Sequence, residues 1–162
     1  NAYVAEASTD TQNSAVAQVA ATSAPLFSVS KCSYGPVLDT AIERLGDEIR
    51  ARNREMEALP EPEKTRSLEA AEGRSTYKKI TPVPFHGVTV VAVASHYEAS
   101  SILFREPLAD VIRAMKAADY KIGDTGEIAP APDDEEGVAS ASVSATEGEA
   151  RSYGASELIC GV

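Results

Sequence analysis

Residues 88–94 read VTVVAVA, apolar at every position but Thr89. Successive side chains of a strand point to opposite faces, so a strand with one face in water alternates apolar with polar. This run does not alternate, and it therefore predicts a central strand covered on both faces. Helices can cover one side. The other must be met by appended strands or by another subunit, a demand that restricts the available folds more than any other feature of the chain.

Two prolines mark the helices that could supply the first cover. Gly35-Pro36 opens one of them, because proline at the first helical position lacks an N–H that would have no helical partner there. Leu38, Ala41, Ile42, Leu45, Ile49 and Met56 then follow a 3.6-residue period, and Pro60 and Pro62 stop the helix before Leu59. Glu106-Pro107 opens the other, with Leu108, Val111, Ile112, Met115 and Ala118 as its stripe. Asp110 in its first turn and Lys116 later suit the helix dipole. Residues 61–75 read as a short polar helix or a loop.

The strand-like segments are LFSVSKCSY (26–34), YKKITPVPF (77–85), the run at 88–94, SSILF (100–104) and YKIGDTGEI (120–128), the last split by a GDTG turn. Pro82 and Pro84 cannot donate to a ladder, which puts 77–85 at an edge or outside the sheet. SHYEAS, between two apolar runs, reads as the connection joining them. From Ser28 to Ile128 the order is strand, helix, strand, strand, helix, strand. That is an α+β pattern with a ferredoxin-like split βαβ core (βαββαβ) and additional N- and C-terminal strands.

The domain reading is an N-terminal arm at 1–24 (a weak strand or mobile), an α+β core at 25–129, an acidic linker at 130–137, and C-terminal strands at 138–162. Those last strands would pack on the core or on a neighbouring subunit. A chain of 162 residues is one ordinary domain. Its core is built from small side chains, since aromatics make up 6% and tryptophan is absent. The net charge of −10 is uneven. Residues 1–30 carry Glu6 and Asp10 and no base, residues 31–80 balance, and residues 130–162 hold seven acids against Arg151. No basic surface for displacing counterions emerges, so nucleic acid is disfavoured as a partner. No stretch is long and apolar enough for a membrane span. Asn1 at the first position reads as a processed terminus or an arbitrary boundary, with a lean towards processing.

Cys32 and Cys160 lack CxxC spacing, which disfavours a structural zinc or a thioredoxin-type motif. Two readings stay open, free thiols or one disulfide closing most of the chain. His86, His96 and Glu98 could approach one another, but their spacing matches no zinc motif, and the plain reading is two solvent-exposed histidines. Cys32 or Cys160 with His96 would make a nucleophile–base pair, yet no helix start lowers either thiol pKa. Asp124, Asp133, Asp134, Glu135 and Glu136 offer oxygen ligands without EF-hand spacing. GDTGE carries no phosphate-binding pattern, and no GxSxG elbow is present. These residues call for no catalytic, cofactor or metal site and no cofactor.

The element order is similar to that of SIMPL-domain envelope proteins, and HYEASSILF with its following short helix resembles their central strand–helix segment. Their long alanine-rich C-terminal helix has no counterpart, so the chain is not assigned to them. The expectation is a non-enzymatic structural protein of an extracellular, envelope or virion-type homo-oligomeric assembly. Its partners would be copies of itself or other subunits, joined by strand addition from terminal arms, with Val16, Val19, Val138 and Val143 as contacts. The alternatives are a small ligand-binding or regulatory α+β domain of envelope or periplasmic type, and an enzyme using His96 with a carboxylate.

Overall fold

Pro36 begins helix α1 (Pro36–Glu57), with Gly35 before it at φ 98. The Asp39 carboxylate in the first turn reaches back to accept hydrogen bonds from the Ser33 hydroxyl at 2.6 Å and the Tyr34 N–H at 2.8 Å. These donors lie just before the helix, and negative charge is favoured in its first turn. In the computed structural model, which describes residues 27–131, 137 and 139–162, α1 gives way to a polar helix α2 (Glu63–Ala71) that buries none of its residues.

Strand β1 (Thr76–Phe85) turns through His86-Gly87 into β2 (Val88–His96). Both turn residues have positive φ (48 and 85), as a two-residue hairpin loop of this twist demands. Of SHYEAS only Tyr97-Glu98 is the connection, with Glu98 at φ 55; Ser95 and His96 end β2 and pair with Ser100 and Ala99 of β3 (Ala99–Phe104). Pro107 then caps α3 (Leu108–Ala117), which buries Val111 and Met115. A two-residue β4 (Glu127–Ile128), β5 (Ser140–Ala145), a 3-10 turn (Gly148–Ser152) and β6 (Ser156–Gly161) complete the chain.

These strands form one antiparallel sheet in the order β1-β2-β3-β6-β5-β4. It is two three-stranded meanders joined along β3 and β6. The α+β class is as expected, but the strand order is not that of a split βαβ core. Residues 26–34 were expected to lead that core; within them, Ser28 and Ser33 form a single bridge outside the sheet. The central place is taken by β6, whose burial on both faces is nearly complete. Leu158 and Cys160 are buried there, while Phe27, Val29 and Tyr34 of the 26–34 segment bury their side chains in the core without a place in the sheet.

The two-faced run at 88–94 has a structural cause. A β-bulge between Val90 and Ala92 shifts the register against β3, and such an extra residue resets the alternation. Val88, Val90 and Val93 consequently share the helix-side core with Leu38, Leu45, Phe85, Phe104, Val111 and Met115. Ala92 and Ala94 point the other way, where Leu103, Ala150, Tyr77 and Tyr153 cover them. The second cover is thus supplied by the chain itself, through the segment after β5.

Gly126 lets the small meander close. Its φ is 100, and a Cβ there would lie 2.0 Å from the Val143 carbonyl oxygen. Glycine alone permits the Val143 N–H to donate to the Gly126 carbonyl at 2.9 Å.

Candidate functional site

Among the described residues, two places bear most on function. The first is the outer edge of β1, the end strand of the sheet and ten residues long. Beside it runs a groove of about 730 Å³ between the N-terminal half of α1 and β1. Val37, Ala41, Ile80 and Val83 give it an apolar floor, and Arg44, Glu48 and Lys78 stand at its rim. Lys78 pairs with Glu48 across the groove, and Val37 is 65% exposed. The strand is irregular between Lys79 and Val83, where its register against β2 shifts. Lysines, prolines and a bulge together discourage indiscriminate pairing at an edge.

The second place lies on the sheet face turned away from α1 and α3. His96 at the end of β2 donates or accepts through both ring nitrogens. Nδ1 lies 2.6 Å from the Ser75 hydroxyl, and Nε2 lies 2.9 Å from the Ser101 hydroxyl and 3.1 Å from Glu157 Oε2. The Ser101 hydroxyl donates to the same Glu157 oxygen. One tautomer satisfies every contact: Nε2 carries the proton towards Glu157 and Ser101, and Nδ1 accepts from Ser75. Glu157 is 6% exposed and Ser101 fully buried. A carboxylate so withdrawn from water is costly to keep unless hydrogen-bonded, which His96 and Ser101 do for it.

Aromatic rings wall this cluster. Tyr77 meets His96 edge-on at 5.8 Å and stacks on Tyr153 at 5.2 Å, and the Lys79 ammonium lies 6.0 Å from the Tyr153 ring centre. Burial first, and the Glu157 charge second, push the Tyr77 phenol above its usual range. Ser75 and Tyr77 also line a cleft of about 460 Å³ with Arg52, Met56, Arg74 and Glu149.

Cys32 and Cys160 are joined in a disulfide with a Cα separation of 5.4 Å, so neither is a thiol nucleophile. His86 and His96 are partly buried rather than solvent-exposed, and their surroundings differ. His86 packs against Phe85 and Tyr120 and hydrogen-bonds the Tyr120 hydroxyl at 3.1 Å, and burial holds its imidazole below the usual range. Glu98 is a turn residue. Asp124 pairs with Lys116 at 2.9 Å, and that hydrogen bond, with the ammonium charge, holds its carboxyl low. Asp133, Asp134, Glu135 and Glu136 lie outside the described residues, as do Val16, Val19 and Val138. Val143 is 1% exposed in the chain's own core. Among the described residues no group of three or more His, Cys, Asp or Glu is placed to hold a metal ion, and no helix is long and apolar enough to cross a membrane.

The reading of the sequence did not bring Ser75, Ser101 or Glu157 to His96. The available signal was Glu157 itself, a lone carboxylate inside the otherwise apolar and small SELICG strand.

No family model matches this chain, and neither the curated proteins nor the solved structures contain a significant match.

Proposed function

We propose that the chain is a subunit of an extracellular or virion-type assembly, joined to its neighbours by strand addition onto the outer edge of β1. The observation that supports this reading most is the ten-residue edge lying beside an apolar groove. An added strand gains main-chain hydrogen bonds from the edge, and alternate side chains enter the groove. Pro82 and Pro84 offer no donors, so the addition uses residues 76–81.

The donor in this reading is the arm at 1–24, whose Ala15, Ala17, Val19 and Ala21 alternate with polar or small residues. Side chains of that size suit a groove already floored by Val37, Ala41, Ile80 and Val83. Fully extended, such an arm spans roughly 80 Å, ample for a neighbouring copy. Its charge also fits: Glu6 and Asp10 have no basic companion in the arm, while β1 carries Lys78 and Lys79 and Arg44 lines the groove, Lys78 being shared with Glu48. The lysines that repel a generic edge partner attract an acidic one. The Cys32–Cys160 bridge supports an oxidising setting, where such bonds persist.

Amide hydrogen exchange tests the acceptor. Outward amides at 76–81 should exchange at least about tenfold more slowly in the full chain than in a chain lacking residues 1–24. Equal exchange in both would contradict strand addition here. The groove also falls in the size range of small-molecule sites, which favours a ligand-binding domain as the second reading. Under that reading the protection at 76–81 is indifferent to the arm.

A further inference from the structure

We propose that Ser75, His96 and Glu157 form a nucleophile–base–carboxylate relay that hydrolyses small anionic esters in the adjoining cleft. This stands independently of the assembly reading. A nucleophile within hydrogen-bond reach of a base, with the base oriented by a third group, is the geometric signature of covalent hydrolysis, and it is recognised without any sequence motif. The distances are 2.6 Å from Ser75 to His96 and 3.1 Å from His96 to Glu157. Three separate segments bring the groups together: the loop before β1, the end of β2, and β6.

Access and rigidity are divided as such chemistry requires. Ser75 borders the open cleft, whereas the side chains of His96 and Glu157 are 15% and 8% exposed. Ser101, fully buried, fixes the Glu157 oxygen that holds the ring. Arg52 and Arg74 line that cleft with Glu149 as the one carboxylate, in a chain of net charge −10. Two guanidinium groups in an acidic protein select an anionic group on the substrate.

In the first half of the reaction, the Ser75 oxygen attacks the ester carbonyl carbon and its proton passes to His96 Nδ1. The resulting imidazolium is paired with Glu157. The ester C–O bond breaks, and the leaving alkoxide takes the proton from Nδ1, giving a free alcohol and an acyl-serine. A water then attacks the acyl carbon as Nδ1 accepts one of its protons. The acyl–serine bond breaks and the Ser75 oxygen recovers that proton, releasing a carboxylic acid. One ester and one water become one acid and one alcohol.

A fluorophosphonate reagent tests the nucleophile on the full chain. The Ser75 oxygen should displace fluoride from phosphorus, its proton passing to His96, and peptide mass spectrometry should place one adduct on the peptide containing Ser75. Labelling should be lost in the heat-denatured chain and in Ser75→Ala. It should slow at least about 100-fold in His96→Gln and fall in Glu157→Gln, which preserves the carboxylate's shape. Hydrolysis of the mono-4-nitrophenyl ester of succinate should outpace that of 4-nitrophenyl acetate, with the preference erased in Arg74→Gln. Absence of an adduct on Ser75, or labelling equal in native and denatured chain, overturns the proposal even if His96→Gln fails to fold. An adduct with no preference for the succinate ester overturns the substrate class.

Discussion

Replacing Cys32 and Cys160 together with alanine is expected to lower the stability of the chain by about 5 kcal/mol. The bridge spans a sequence separation of 128 residues. Under the chain-entropy model, the cost of closing so long a loop falls on the unfolded chain when the bond is present, and returns to folding when it is removed. Alanine isolates the cross-link, because Cys160 is 1% exposed and a serine there would add a buried hydroxyl. The bridge also fastens the 27–34 turn to β6 in the middle of the sheet. Phe27, Val29 and Tyr34 in that turn are all buried, so their packing depends on where the turn is held. Domains of this kind are stable by only about 5–15 kcal/mol, so the double variant should show a far lower urea midpoint. A loss below about 1 kcal/mol would mean that packing alone holds the turn.

Phe104→Ala is expected to cost about 3–5 kcal/mol. Phe104 is fully buried at the end of β3, its ring 5.6 Å from that of Phe85. The chain has three phenylalanines and no tryptophan, so few side chains of comparable size share the core with Phe104 to fill the gap. Cavity costs are largest where neighbours cannot collapse. Equilibrium urea unfolding of the variant checks the figure, and a loss under about 1 kcal/mol would show that the helix-side core repacks freely.

Local chemistry made much of this fold readable from the chain. Pro36 and Pro107 mark the starts of α1 and α3, and Pro60 and Pro62 follow the end of α1. Pro82 and Pro84 identify the edge strand, and Gly87 its hairpin. The strand order was not readable, because which strands become neighbours is decided by pairings across the whole chain. Periodicity says that 156–161 is a strand, and says nothing of its place between β3 and β5. The bulge at Val90–Ala92 hid the true division of the 88–94 run, since counting by twos fails at an inserted residue. The polar cluster was hidden for the same reason as the sheet order. His96 lies 61 positions from Glu157 and 21 from Ser75; the β1–β2 pairing sets Ser75 opposite it, and the β3–β6 junction brings Glu157.

Light scattering on size-separated protein tests the assembly account most directly, using the full chain, a chain without residues 1–24, and Lys78→Glu/Lys79→Glu at the acceptor edge. The full chain should run as an oligomer. The other two should run as folded monomers, the charge-reversed edge repelling Glu6 and Asp10. A full chain that is monomeric at high concentration, or an oligomer that survives both changes, would contradict strand addition at β1.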